Sequence, residues 1–404
     1  MKVVRHPSAA PPLAWEEARM AQAKWAARPL RERLRVIRAL RHRIPAAARD
    51  LARAAGADRP EAEVLSAEIV PLADACRFLE REAPRLLATR RLGADGRPVW
   101  LAGVEAEVRR EPLGLVLVIA PSNYPLFLPG VQAAQALTAG NAVLWKPGRG
   151  GLAAARAFAG LAREAGLPAG LLMVLPEDPQ AAREAIAAGM DKVLLTGSAA
   201  TGREVLAELA RHLTPATMEL SGCDALFVLP GADLDRAARA VLFGLTLNGG
   251  DTCIAPRRIF VPHALAPALE KNLRLLGVDL PASGVSLVPV AGPEEALAAA
   301  ATSPYALGAS IFGPEEAAFA FAGRVRAGSV VVNDVIVPTA DPRLPFGGRG
   351  ESGFGVTRGA EGLLEMTVLK TVSVRRGKRL PHLDPPHRQD AELFHAYLTL
   401  AHAG

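Results

Sequence analysis

Between Leu13 and about Leu87, apolar residues recur every three or four positions among arginines, with Leu34, Ile37, Leu40, Ile44 and Leu51 on one stripe. That period predicts a layer of amphipathic helices, with Trp15 and Trp25 anchoring its buried face. A turn-rich link at 93–98 ends it. From Val99 to Arg110 the period becomes two, Val104, Ala106 and Val108 facing one way and Glu105, Glu107 and Arg109 the other. This predicts a half-exposed strand or hairpin arm.

At Leu115 the pattern changes again, to a continuous apolar run, Leu115-Val116-Leu117-Val118-Ile119-Ala120, of the kind a parallel sheet buries on both faces. Further strands at 142–146, 171–175 and 192–195 alternate with helical patterns at 130–139, 151–165, 179–188 and 202–213. Strict alternation predicts a doubly wound α/β domain. After Glu219 a second α/β region follows, with strands at 225–229, 255–261, 285–290, 310–312 and 329–332 and helices at 264–276, 294–302 and 315–327. Glycines at 347–355 predict a loop. A strand at 367–374 precedes a tail containing prolines, one short helical pattern and His382, His387, His395 and His402.

A chain of 404 residues exceeds one simple core, so two or more domains are expected. The composition, 50% apolar and 22% charged, is that of a globular protein. Three cysteines, Cys76, Cys223 and Cys253, make no disulfide framework and no zinc spacing, and the tail histidines lack ligand spacing. A reducing, cytoplasmic setting without a structural metal is expected. Met1 to Ala10 has no apolar signal core, and no apolar run reaches the roughly 18 residues of a membrane span. The net charge of +6 comes from arginines scattered along helices instead of clustered with aromatics, which speaks against nucleic acid and suits an anionic cofactor or substrate.

Five places offer chemistry. Asn248-Gly249-Gly250-Asp251-Thr252-Cys253 is a glycine-softened turn ending on a thiol, which reads either as a buried small hydrophobe or as a nucleophile beside its own backbone N–H. Asn123, in Pro121-Ser122-Asn123-Tyr124-Pro125 at the end of the Leu115 strand, reads as an Asx-turn residue or an oxyanion donor. Lys146 ends a buried strand before Pro147, as a solvated lysine or a ligand for sugar hydroxyls or phosphate. Thr196-Gly197-Ser198 leads into a helix start, an ordinary N-cap or a pyrophosphate seat. Glu219, between Met218 and Leu220, is a paired structural carboxylate or, buried, a general base with a raised pKa.

Taken together, these stretches resemble the aldehyde dehydrogenase superfamily. The matching text is Glu111-Pro112-Leu113-Gly114, Pro121-x-Asn123-Tyr124-Pro125, Ala139-Gly140-Asn141 with Lys146-Pro147, and Thr196-Gly197-Ser198 with Gly202. It continues through Glu219-Leu220-x-Gly222, Asn248-x-Gly250-x-x-Cys253, Asn333 and Pro345-Phe346-Gly347-Gly348 with Ser352-Gly353, and runs from about Trp15 to Val374. The resemblance implies that Cys253 forms a thiohemiacetal, that Asn123 and the Cys253 N–H hold its oxyanion, and that Glu219 activates water against the thioester. It implies NAD or NADP bound by Lys146, Gly197 and Ser198, with Pro121, Gly202 and Leu220 beside them. It further implies an aldehyde dehydrogenase-like fold: a cofactor domain over 1–98 and 113–219, a catalytic domain over 220–366, bridging and oligomerisation strands at 99–112 and 367–378, and a tail at 379–404. A homo-oligomer, dimer or larger, follows from the terminal strand.

The chain departs from the family in four respects. The Glu-x-Phe-Gly-Pro motif that binds the nicotinamide ribose is missing; the only Phe-Gly-Pro, at Phe312, has Ser310 in the glutamate's place. The segment between Val261 and Val285 is shortened, leaving Glu270 and Asp279 as the nearby carboxylates. Arg149 stands where NAD-using relatives often carry a glutamate, so it is expected to favour a 2′-phosphate. Cys223 and Ser122 replace a lysine and an aromatic residue, the second change being expected to widen the substrate pocket. The leading expectation is oxidation of an aldehyde to a carboxylic acid with NAD(P). The alternative is a redox-inactive homologue serving as a binding or assembly partner, and coenzyme A acylation or NAD-free thioester hydrolysis is a third possibility.

Overall fold

The computed structural model describes residues 13–376, 383, 385 and 387–402; Met1 to Ala10 and His382 lie outside the described residues. One compact unit spans Arg110–Val368 with the helical layer that ends at Ala88, and a second spans Thr89–Arg109 and the chain from Leu369.

The layer consists of helices Leu13–Ala26, Leu30–Gly56, Glu61–Val64 and Val70–Leu86, the last two joined by a π-helical turn at Leu65–Ile69. Both tryptophans are buried, and the Trp25 indole N–H donates to the Leu137 carbonyl at 2.8 Å. Ile37, Leu40, Ile44 and Leu51 face the same core, as the heptad-like spacing requires.

That core surrounds a six-stranded sheet ordered Gly353–Phe354, Ala216–Glu219, Lys192–Thr196, Leu115–Ile119, Ala142–Lys146, Leu172–Val174. All neighbours are parallel except the first pair. The chain starts at the centre, with Leu115–Ile119, builds outward on one side and then returns to the other, so the topological switch lies between Leu115–Ile119 and Lys192–Thr196. Ligands of open α/β sheets bind beyond the carboxyl ends of strands at such a point. A second sheet, all parallel, is ordered Ser286–Val290, Pro256–Pro262, Asp224–Val228, Gly308–Phe312, Ser329–Val332.

The second unit is built around a three-stranded sheet of Arg90–Leu92, Val104–Pro112 and Thr367–Arg375. Arg376 pairs with Glu105 at 2.9 Å, and helix Arg388–His402 carries no buried residue.

Four local expectations change. The strand expected from Val99 begins at Val104, because Val99–Leu101 is a 3-10 turn and Gly103 (φ 80°) breaks the extended run. The glycine loop at 347–355 contains two short strands, and Gly353 pairs with Glu219 because its missing side chain admits the Met218 carbonyl. The helix expected from Gly202 starts at Ala199, where Ser198 caps it by accepting from the Thr201 N–H. Strand Ala216–Glu219 and helix Leu234–Thr246 were not anticipated, although Asp233 caps the latter by accepting from the Arg236 N–H, a signal visible in the sequence.

Candidate functional site

Helix Leu234–Thr246 delivers the chain into three consecutive left-handed residues, Asn248 (φ 52°), Gly249 (φ 61°) and Gly250 (φ 79°). At Gly250 a Cβ would lie 2.8 Å from the Leu245 carbonyl oxygen, so the turn needs glycine there. Asparagine is among the few other residues that tolerate this backbone. The reversal is tied down on every side. The Asn248 N–H donates to Glu63 (3.1 Å), its side-chain amide to the Asn123 carbonyl (2.8 Å), and Arg257 to the Gly250 carbonyl (2.6 Å). Thr252 is buried with its hydroxyl 2.6 Å from that of Tyr124, whose own ionisation burial pushes up to about 12. Cys253 follows, half-buried.

Beneath this loop lies a charged network absent from the sequence reading. Glu68, fully buried in the π turn, accepts the Leu126 and Phe127 N–H groups (2.8 and 3.1 Å) at the start of helix Phe127–Ala139, and pairs with Arg59 at 2.9 Å. The carboxylate satisfies N–H groups that the helix itself cannot. Burial nevertheless raises its pKa against those partners. Arg59 also pairs with Glu63 and lies over the Tyr124 ring. An acid among apolar residues, Ala67-Glu68-Ile69-Val70, was the available signal.

Cys253 and Glu219 open onto one cavity of about 160 Å³. Glu219 ends strand Ala216–Glu219; its Oε2 accepts from the Thr357 hydroxyl at 3.0 Å, while Oε1 is buried with no hydrogen-bond partner. Burial raises the Glu219 pKa, against the opposing charge of Arg358 and the Thr357 bond. Burial likewise pushes the Cys253 thiol up, helped by the Glu219 and Asp224 charges and opposed by Arg358 and its own N–H.

Arg358, on the same cavity wall, is the residue that sequence reasoning missed most completely. Its backbone (φ 60°, ψ 177°) occupies a region otherwise reserved for glycine, a strain of about 1–3 kcal/mol that persists only where the surroundings impose it. The guanidinium donates to the Thr339 carbonyl at 2.6 Å and stacks over Phe346 at 4.2 Å and Phe127 at 5.5 Å from the ring centroids. Desolvation lowers its pKa while Glu219 and Cys253 raise it.

Asn123 sits on the Cys253 loop but not on the cavity wall: its side-chain amide donates to the Asp251 carbonyl at 2.8 Å and its oxygen accepts the Tyr124 N–H. One amide hydrogen is therefore engaged and the other is available.

A cleft of about 720 Å³ opens at the switch point, lined by Pro121, Ser122, Lys146, Arg149, Gly197 and Thr201 among others. Lys146 is buried, its ammonium without a hydrogen bond among the described residues; burial lowers its pKa against Glu177 and Asp178. At Gly148 a Cβ would meet the Pro121 backbone at 2.3 Å, so two strand ends touch there to form the cleft's floor. Ser198 spends its oxygen as helix cap, and Gly202 and Leu220 line neither cavity but pack on each other, a Gly202 Cβ falling 2.8 Å from Leu220. Ser122 stands on the cleft, so it does not widen the thiol cavity as expected. Neither Glu270, paired with Arg274, nor the exposed Asp279 lines either space. The cleft suits the phosphate and adenosine end of a dinucleotide: a buried, unbonded ammonium, a backbone cradle and a helix start. Among the described residues no group of three or more His, Cys, Asp or Glu is placed to hold a metal.

A dinucleotide cleft beside a cavity with a thiol and a carboxylate is the arrangement of a nucleotide-dependent oxidoreductase. The aldehyde dehydrogenase family model matches residues 3–275 and 284–372, its break at 276–283 falling in the shortened segment. A 4,4′-diapolycopene aldehyde oxidase from Methylomonas sp is 31% identical, covering 76% of this chain and 70% of that protein. A protein from Mycobacterium ulcerans, provisionally named succinate-semialdehyde dehydrogenase [NADP(+)] 2, is 30% identical over 92% of this chain and 85% of its own length. In fold, the substrate-bound AldH of Staphylococcus aureus superposes with a TM-score of 0.86 at 21% identity, covering 96% of this chain and 99% of that one. The chain belongs to the aldehyde dehydrogenase family, and it is an NAD(P)-dependent oxidoreductase acting on an aldehyde. Its reading as a redox-inactive assembly partner is not favoured.

Proposed function

We propose that Cys253 is the nucleophile and Glu219 the base of this oxidation. The observation that carries the reading is the buried, unpartnered Oε1 of Glu219 in the same cavity as the Cys253 thiol. With both groups raised by burial, the resting pair keeps the proton on sulfur, and an ionised Glu219 is the acceptor that frees the thiolate. The thiolate adds to the aldehyde carbon; the Cys253 N–H is the donor for the oxyanion, and Asn123, bonded to the Asp251 carbonyl beside the cavity, is the second donor if its free amide hydrogen turns inward on substrate binding. Bound NAD(P) supplies the hydride acceptor. Once that first proton has passed to solvent, Glu219 removes a proton from water as it attacks the thioester; the carboxylic acid leaves, and Glu219 returns the proton to the departing Cys253 thiolate, restoring the thiol.

Lys146, Gly197 and the cap of helix Ala199–Ala210 hold the nucleotide's ribose and phosphates, with Pro121 and Arg149 beside them. NADP fits better than NAD: Arg149 is exposed on the cleft without a carboxylate partner among the described residues, and Glu177 is occupied by the Gly150 and Leu152 N–H groups (3.0 and 2.8 Å). Relatives from Mycobacterium ulcerans and Mycolicibacterium smegmatis carry NADP(+) in their names, in keeping with this. The helical layer with the chain over 113–219 forms the cofactor domain and the chain over 220–366 the catalytic one, which lends strand Gly353–Phe354 to the six-stranded sheet. Exposed Val99, Trp100, Leu369 and Val374 give the second unit the apolar surface a homo-oligomer covers. A cytoplasmic location fits the three free thiols. The test is NAD(P)H formation by the purified chain with a panel of aldehydes: Cys253→Ala is expected to abolish it, and unchanged turnover refutes the assignment.

A further inference from the structure

Away from Cys253, Glu219 and Arg358, every side-chain hydroxyl on the cavity wall among the described residues is already bonded. The Tyr124 and Thr252 hydroxyls bond each other, the Thr339 hydroxyl donates to the Ile336 carbonyl at 2.6 Å, and the Ser66 hydroxyl to the Glu63 carbonyl at 3.0 Å. The remaining wall is carbon, with Leu128, Leu247 and Ile254 inside and Phe243, Ile336 and Val337 toward solvent. Arg358 is the one cation among the lining residues, and it sits at the reacting end, its guanidinium stacked on Phe346 and donated to Thr339. It therefore cannot reach the far end of a substrate whose carbonyl is at Cys253.

The apolar wall is held in place at a conformational cost. Ile336 has φ 58° and ψ −63°, inside a three-residue turn closed by the Val337 N–H donating to the Val335 carbonyl at 2.5 Å. A β-branched residue rarely takes such a backbone, and strain of this kind clusters where a ligand is shaped. Size follows from the volume. About 160 Å³ is close to the roughly 150 Å³ apolar cavity that takes up benzene.

We infer that the substrate is an uncharged, apolar aldehyde whose buried body is about one benzene ring or a six-carbon chain, and that aldehydes with a carboxylate at the far end are discriminated against. A distal carboxylate would lose water against carbon walls without a counter-charge. The inference rests on the aldehyde-oxidation reading above and names the substrate class of that same cavity.

The test compares kcat/KM for benzaldehyde, hexanal and succinate semialdehyde with NADP, using the full chain. Benzaldehyde or hexanal is expected to exceed succinate semialdehyde by at least roughly 100-fold, and a semialdehyde equal to or better than both overturns the inference. Val337→Arg, which adds a cation at the rim, is expected to shift that ratio toward the semialdehyde by roughly tenfold or more, while an unchanged ratio counts against the rim as the discriminator. Binding of unreactive amides to the wild-type chain, measured by calorimetry, separates the two readings. If no aldehyde is oxidised but benzamide and hexanamide bind more tightly than succinamate, the oxidation reading fails and the substrate pocket stands; if succinamate binds as tightly, the pocket inference fails.

Discussion

Replacing Arg358 by alanine removes the one cation on the thiol cavity's wall among the described residues. The charged hydrogen bond to the Thr339 carbonyl is worth about 1.5–3 kcal/mol, and the stacking on Phe346 and Phe127 about 0.5–2 more. A loss of about 2–5 kcal/mol is therefore expected in urea unfolding. Arg358→Gly gives an internal control. At an ordinary position glycine is less stable than alanine by about 0.5–1 kcal/mol, but here it alone escapes a backbone strain of about 1–3 kcal/mol, so it should match or exceed alanine. Activity responds through charge. Arg358 opposes the burial that raises both Glu219 and Cys253, so without it both hold their protons to higher pH. The kcat profile of NAD(P)H formation, read from about pH 5.5 to 10, should rise later in Arg358→Ala than in the wild type. A midpoint that stays put or falls, or an alanine variant more stable than glycine, refutes this account.

Glu219→Gln is expected to slow both the first NAD(P)H formed per active site and steady-state turnover by at least roughly 100-fold, seen by stopped-flow absorbance, because thiolate formation and hydrolysis both lose their base. In the wild type, Glu219 is protonated below its raised pKa, so hydrolysis should switch on as pH rises above the ordinary carboxylate range; Glu219's own contribution to folding runs the other way, fully present below the unfolded value and lost as pH rises through the folded one. Lys146→Ala should raise KM for the nucleotide roughly tenfold or more with little change in kcat, and Arg149→Glu should turn preference from NADP toward NAD, both read from initial rates. Glu68→Ala leaves the Leu126 and Phe127 N–H groups without their acceptor and Arg59 with Glu63 alone, and should lower stability by about 3–5 kcal/mol on chemical unfolding.

The central sheet was legible because Leu115–Ile119, Ala142–Lys146 and Lys192–Thr196 each hold a run of apolar residues between helical periods, and all three are buried along their length. Cys253 and Glu219 were brought together by the family resemblance, the one following the Gly249-Gly250 turn and the other ending strand Ala216–Glu219. What stayed hidden depends on long-range partners. Arg358 carries no local cue, since its meaning comes from a positive-φ backbone and from rings at Phe127 and Phe346. Asn123 looked like a free donor until the Asp251 carbonyl was seen to hold one of its hydrogens. Strand Ala216–Glu219 was missed because four residues with one threonine and one glutamate have no period of their own.

The π turn at Leu65–Ile69 places one more residue in its helix than an α-helix of equal rise would hold. Removing a single residue there would restore regular winding, keep the helical turns on either side in phase, and reorient the side chains within 65–69. Ser66 and Ala67 would leave the cavity rim and Glu68 would turn from the helix start it caps. The length of this helix is thus a dial for the shape of the pocket: a relative one residue shorter would present a different wall to its substrate even with every catalytic group unchanged.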